Sequence, residues 1–154
     1  MTKITQVWRP WLPGAKHGIA RGVAVYGSPG FQRDLGRLAD LLADCRKLRA
    51  WAEDHGVHLD DSPESLSALD EALDRFADQQ TRNGLANDAG RYLGTVLILP
   101  DDRARWQVWP NGHPVVRMPS RHVIDVVAIV NDASRSGKLG LAKHYADAIA
   151  GGPS

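Results

Sequence analysis

Histidine and aspartate cluster at two places in this chain, and these are residue types that can hold a metal or move a proton. His55, His58, Asp60 and Asp61 fall within seven residues, and imidazole and carboxylate are both divalent-metal donors. Their spacing fits no metal motif, and His55 stands where a helix would end, a place that favours an imidazolium. No metal and no cofactor is assigned to them. The second set is His122 and Asp125, with Arg117 just upstream, which could serve a small enzyme as base, acid and anion clamp. Each also has a plain structural use: Asp125 as a helix cap, His122 as a turn residue and Arg117 as a solvated strand residue. No catalytic residue is therefore assigned.

Two further stretches imitate motifs. Ser134-Arg-Ser-Gly-Lys138-Leu-Gly140 suggests phosphate binding but lacks the spacing of a phosphate loop and has no strand leading into it. Gly90-Arg-Tyr-Leu-Gly94 has the spacing of a membrane dimer motif in a helix too short and too polar for a bilayer.

Charge and tryptophan point elsewhere. The formal charge of +1 conceals an arm, residues 1–33, with Lys3, Arg9, Lys16, Arg21 and Arg33 and no acid, so +5 is set against −4 in the rest. Within it, Trp8-Arg-Pro-Trp11-Leu-Pro reads as extended chain, because each proline disfavours helix in the residue before it. The candidate partner-binding residues are Lys3, Trp8, Arg9, Trp11 and Lys16, together with Trp109 of a hairpin. The arm either meets a partner or folds back on its own acidic body.

The elements that must position these residues are read from periodicity and turn chemistry. Val23 to Tyr26 reads as a short strand. Leu35, Leu38, Leu42, Cys45 and Ala52 recur at helical spacing and predict one amphipathic helix from Asp34 to Asp54, bent near Cys45. Ser62 and Pro63 are a helix start, with Glu64 suited to the positive end of the dipole, and that helix runs to about Phe76. The polar tract Asp78 to Asn83, ending at Gly84, reads as a loop before a helix from about Asn87 to Leu99. There Ala86, Gly90 and Gly94 make a small stripe four residues apart, which predicts a closely packed neighbour. Arg105 to Trp109 and Pro114 to Met118 form a hairpin through Pro110-Asn-Gly-His113, and His122 to Ile124 is a third strand. Alternation puts Trp106 with Val108 and Gln107 with Trp109, so Trp106 is expected in the core and Trp109 to be less covered. Asp125 caps a helix through Asp132, and a last helix spans about Leu139 to Ile149.

The chain is thus expected to be α+β, with helices packed around a small antiparallel β-meander: an arm over residues 1–20 and a single domain over 21–150. With 154 residues and 43% apolar content it can bury a core of its own. Its single cysteine, Cys45, is expected to be a buried, unreactive thiol in a reducing cytoplasm. The longest apolar run, Val126 to Val130, is far below the ~20 residues that span a bilayer, and no signal peptide is expected.

Asn87-Asp-Ala-Gly90-Arg-Tyr-Leu-Gly94-Thr-Val-Leu, then Trp106, Pro114-Val-Val-Arg117-Met-Pro119 and Ile124-Asp-Val-Val127, together with the Leu59 to Asp70 run, resemble a group of short uncharacterised bacterial proteins, a domain of unknown function. The resemblance covers about Val23 to Ala148, and residues 1–20 fall outside it. It implies no activity. The function expected from the residues is non-catalytic recognition of a macromolecule, a protein partner first, through the basic arm and the hairpin face. The small enzyme at His122, Asp125 and Arg117, and nucleic-acid binding through the arm, are the alternatives.

Overall fold

The computed structural model describes residues 23–25, 35–101, 103–110 and 112–151. In chain order the elements are β1 (Val23–Val25), α1 (Leu35–Asp44), α2 (Arg46–Asp54), α3 (Pro63–Phe76), α4 (Gln79–Ile98), β2 (Arg105–Val108), β3 (Pro114–Arg117), β4 (Val123–Ile124), α5 (Val126–Arg135) and α6 (Leu141–Ile149). The fold is α+β, with one sheet ordered β1-β2-β3-β4. β2, β3 and β4 are the expected antiparallel meander, and β1 joins its edge parallel to β2, Val23 opposite Trp106.

The helix expected over Asp34 to Asp54 is two helices. Cys45 takes the left-handed conformation, φ 45°, which breaks the backbone ladder and turns the chain. Both broken ends find partners. The Arg49 guanidinium donates to the Asp44 and Ala43 carbonyls, both at 3.0 Å, at the end of α1. The start of α2 has no cap from Cys45, and Asp88 of α4 accepts from Leu48 N at 3.1 Å instead. The apolar stripe runs on across the break because Leu42, Cys45, Leu48 and Ala52 all reach the core.

The start of α3 is as expected: Ser62 Oγ accepts from Ser65 N at 3.2 Å with Pro63 in the first turn. The turn before it is locked from both sides. Asp60 accepts from Ser62 N, and the Tyr92 hydroxyl of α4 accepts from Asp61 N at 2.9 Å and bonds Ser65 Oγ at 2.6 Å. The Leu59 to Asp70 run is therefore a structural joint.

The Asp78 to Asn83 tract is not a loop. Asp78 caps Thr81 N at 2.8 Å, and α4 begins at Gln79. Its first turns are polar because they face solvent. Deeper along α4 the small stripe does what its spacing predicts. A Cβ on Gly90 would lie 2.7 Å from Val127 Cα of α5, and one on Gly94 would fall within the Trp106 indole. Trp106 is fully buried and Trp109 38% exposed, as alternation requires. Asp125 caps α5 by accepting from Ala128 N at 3.0 Å. The start of α6, at Gly140, is capped from α3, where Asp70 accepts from Leu141 N and Ala142 N at 2.9 Å.

Candidate functional site

The hairpin tip is where exposed aromatic surface and a hydrogen-bonded histidine–aspartate pair meet. β2 and β3 are joined by a turn closed by Trp109 N to His113 O, 3.0 Å, and Gly112 N to Trp109 O, 2.8 Å. Gly112 sits at φ 87°, a conformation that favours glycine. The turn presents the Trp109 indole to solvent, with the His113 ring 5.8 Å from it and tilted by 45°. His113 is held in turn by Asp125, its Nε2 2.8 Å from both carboxylate oxygens. Asp125 therefore has two duties, capping α5 and bracing the hairpin tip.

Beside the tip lies an open cleft of about 710 Å³ between the hairpin, α4 and the break from α1 to α2. Val108, Gly112 and Pro114 line one wall, Asn87, Asp88 and Arg91 the floor, and Leu41 and Cys45 to Lys47 the other wall. Two of these groups are already used: Asp88 caps α2, and Arg46 pairs with Asp44 at 3.4 Å. Burial, reinforced by Asp88, pushes the Cys45 thiol up to about 12, so at neutral pH it is a protonated, inert side chain.

The residues singled out from sequence fare differently. Lys3, Trp8, Arg9, Trp11 and Lys16 lie outside the described residues. Trp109 is exposed at the tip. Arg117, His122 and Asp125 are not drawn into one site. The imidazole that Asp125 binds is that of His113, while Met118 N donates to His122 O, so alternation sets His122 on the face opposite Arg117. His122 Nε2 is buried without a hydrogen-bond partner among the described residues. His55 bonds Trp51 O through Nδ1 at 2.7 Å and stacks on its ring at 4.1 Å. Asp61 binds Arg49 at 3.1 Å. Among the described residues no group of His, Cys, Asp or Glu is arranged to hold a metal ion. The stretch from Ser134 to Gly140 is the last residues of α5 and the turn to α6, with Gly137 at φ 98° and Gly140 at φ 62°.

His113 is the residue that sequence reasoning missed. It was read as a turn residue, and its partner is twelve positions away. The signal was present in the meander itself, because a short third strand returning along β3 delivers its last residue back toward the hairpin turn.

A family comparison sets these observations in context, since a family match takes in residues 10–151. The chain belongs to DUF6278, a family of unknown function. No curated protein and no solved structure matches it. The DUF6278 match begins upstream of Val23 and takes in Trp11 and Lys16 while leaving out Lys3, Trp8 and Arg9. Among the described residues no helix is long and apolar enough to cross a membrane.

Proposed function

We propose that this DUF6278 chain is a cytoplasmic, non-catalytic recognition module for a protein partner, engaged through the hairpin tip and the basic N-terminal segment. The observation that carries the reading is Trp109, 38% exposed on a turn that Asp125 braces through His113. Partly exposed tryptophan on a fixed element is the kind of anchor that dominates protein interfaces, because little side-chain freedom is lost when it docks. The open cleft beside it offers concave surface for the flank of the same partner. Lys3, Arg9 and Lys16 supply positive charge, with Trp8 and Trp11, for an acidic surface on that partner.

The test combines capture with a measured affinity. A partner captured by the full chain is purified and titrated against the wild type, Trp109→Ala and a chain lacking residues 1–20. Trp109→Ala is expected to weaken binding by about tenfold or more at unchanged melting temperature, and the truncation to weaken it further and remove its salt dependence. A captured nucleic acid, or a protein bound equally well by both variants, sinks this reading.

The His113–Asp125 pair, 2.8 Å apart, favours a second reading in which acid–base chemistry sits at the tip. A positioned carboxylate fixes an imidazole for proton transfer. Under that reading His113→Asn abolishes turnover of a substrate that Trp109→Ala still processes.

A further inference from the structure

The floor of the cleft beside the hairpin carries a cation with no answering charge among the described residues. Gly84, Asn87, Asp88 and Arg91 line the cleft from α4, at the three- and four-residue spacing that puts side chains on one face of a helix. Arg91 is half-buried there, and its Nε is shut off from solvent with no hydrogen-bond partner. A buried donor left unpaired is costly, and more so when it is charged. Asp88, three residues back on the same face, does not answer it, because its carboxylate accepts from Leu48 N at 3.1 Å. No ion pair among the described residues includes Arg91.

The other charges of the cleft leave a small excess. Arg46 pairs with Asp44 at 3.4 Å, and Lys47 beside it is exposed. Arg46, Lys47 and Arg91 are set against Asp44 and Asp88, so one positive charge remains over. The walls are apolar. Leu41, 58% exposed, stands on one side, and Val108 and Pro114 of the hairpin on the other. A volume of about 710 Å³ lies in the range of small-molecule sites, roughly 300 to 1,000 Å³, where apolar walls hold the body of a ligand and a few polar groups orient it.

We propose that this cleft binds a small monocarboxylate with an apolar body, its carboxylate on the Arg91 guanidinium and its body between Leu41 and the hairpin residues Val108 and Pro114. A carboxylate accepts two N–H groups of a guanidinium at once, in the plane of its fork, and its single charge equals the excess. A dianion such as a phosphate monoester brings one charge too many beside Asp44 and Asp88. Trp109 is not a lining residue, so an occupant fills the concave surface beside the hairpin tip and leaves the indole free. The inference does not depend on the recognition reading, and either can fail alone.

The probe is octanoate, titrated into the full chain at constant ionic strength with backbone amide shifts followed by NMR. Wild type is expected to bind it saturably, with the largest shifts around Lys47, Asp88 and Arg91, and to bind octanamide and acetate about tenfold more weakly or worse. Octanamide differs from octanoate in charge and hardly in size, so that comparison needs no variant. Arg91→Gln is expected to weaken octanoate about tenfold or more, Arg91→Lys less, and Leu41→Ser about threefold or more. Arg135→Gln, on α5, is the control that changes nothing. Octanoate is expected to raise the melting temperature of wild type and not of Arg91→Gln. No saturable binding of octanoate, equal binding of octanamide, or undiminished affinity in Arg91→Gln overturns the site. Octyl phosphate binding as tightly as octanoate or more tightly overturns the monoanion assignment, and acetate binding as tightly overturns the apolar body.

Discussion

Gly84 and Gly94 lie in the same helix, α4, and have opposite surroundings. A Cβ on Gly84 would meet nothing within 4 Å, whereas one on Gly94 would fall within the Trp106 indole. Glycine weakens a helix by about 1 kcal/mol against alanine at either place. At Gly94 that cost is offset by the approach of the largest side chain in the core, and at Gly84 nothing offsets it. Residue type alone does not say which glycines a fold needs; what stands opposite does.

The sharpest way to break this comparison is Gly94→Ala. The methyl group has no room unless Trp106 moves, so the variant is expected to lose about 3 kcal/mol or more in chemical denaturation, as overpacked cores do. Gly94→Ala with Trp106→Leu should recover part of that loss, and failure to recover any would mean that backbone, not indole, is the obstacle. Of similar size is the contrast within β2 and its turn. Trp106→Ala is expected to cost about 3 to 5 kcal/mol, while Trp109→Ala should stay within about 0.5 kcal/mol. Equal losses in the two would reverse the assignment of faces.

Ser62→Ala removes a local cap and is expected to cost about 0.5 to 2 kcal/mol, with partner binding intact; melting curves and the titration described above separate the two readouts. Gly84→Ala is the smallest effect and has the opposite sign, a gain of about 1 kcal/mol. A loss there would show that the first turns of α4 depend on something other than helix propensity.

What could be read from sequence follows the reach of each interaction. Ser62 with Ser65 and Asp125 with Ala128 are contacts within three residues, and both helix starts were legible. The Gly90 and Gly94 stripe was legible as a demand for close packing, though not as to which neighbour met it. The break at Cys45 was legible only as a bend, because one of the groups that stabilise it is Asp88, forty positions beyond Leu48. The Asp78 to Asn83 tract was misread since polarity marks a solvent-facing helix start as readily as a loop. Only the cap spacing from Asp78 to Thr81 distinguishes them. At the hairpin, treating Pro110 to His113 as the whole connection would pair Trp109 with Pro114. The observed pairing of Val108 with Pro114 shifts the register by one residue and brings Arg105 opposite Arg117. That pairing was hidden by a single residue of turn length.

The remote caps have a consequence in time. Asp88 secures the start of α2 across 40 positions, and Asp70 secures Leu141 and Ala142 across 71 and 72. During synthesis at about 5 to 20 residues per second, the α2 segment therefore waits roughly 2 to 8 seconds before its cap leaves the ribosome. The α6 segment, by contrast, emerges when its cap has long been in place. The two helices are thus expected to become protected from amide exchange in different manners on a nascent chain, α2 retroactively and α6 on arrival. Stalled chains long enough to release Asp88 from the ribosome, compared with ones that still hold it inside, would show it.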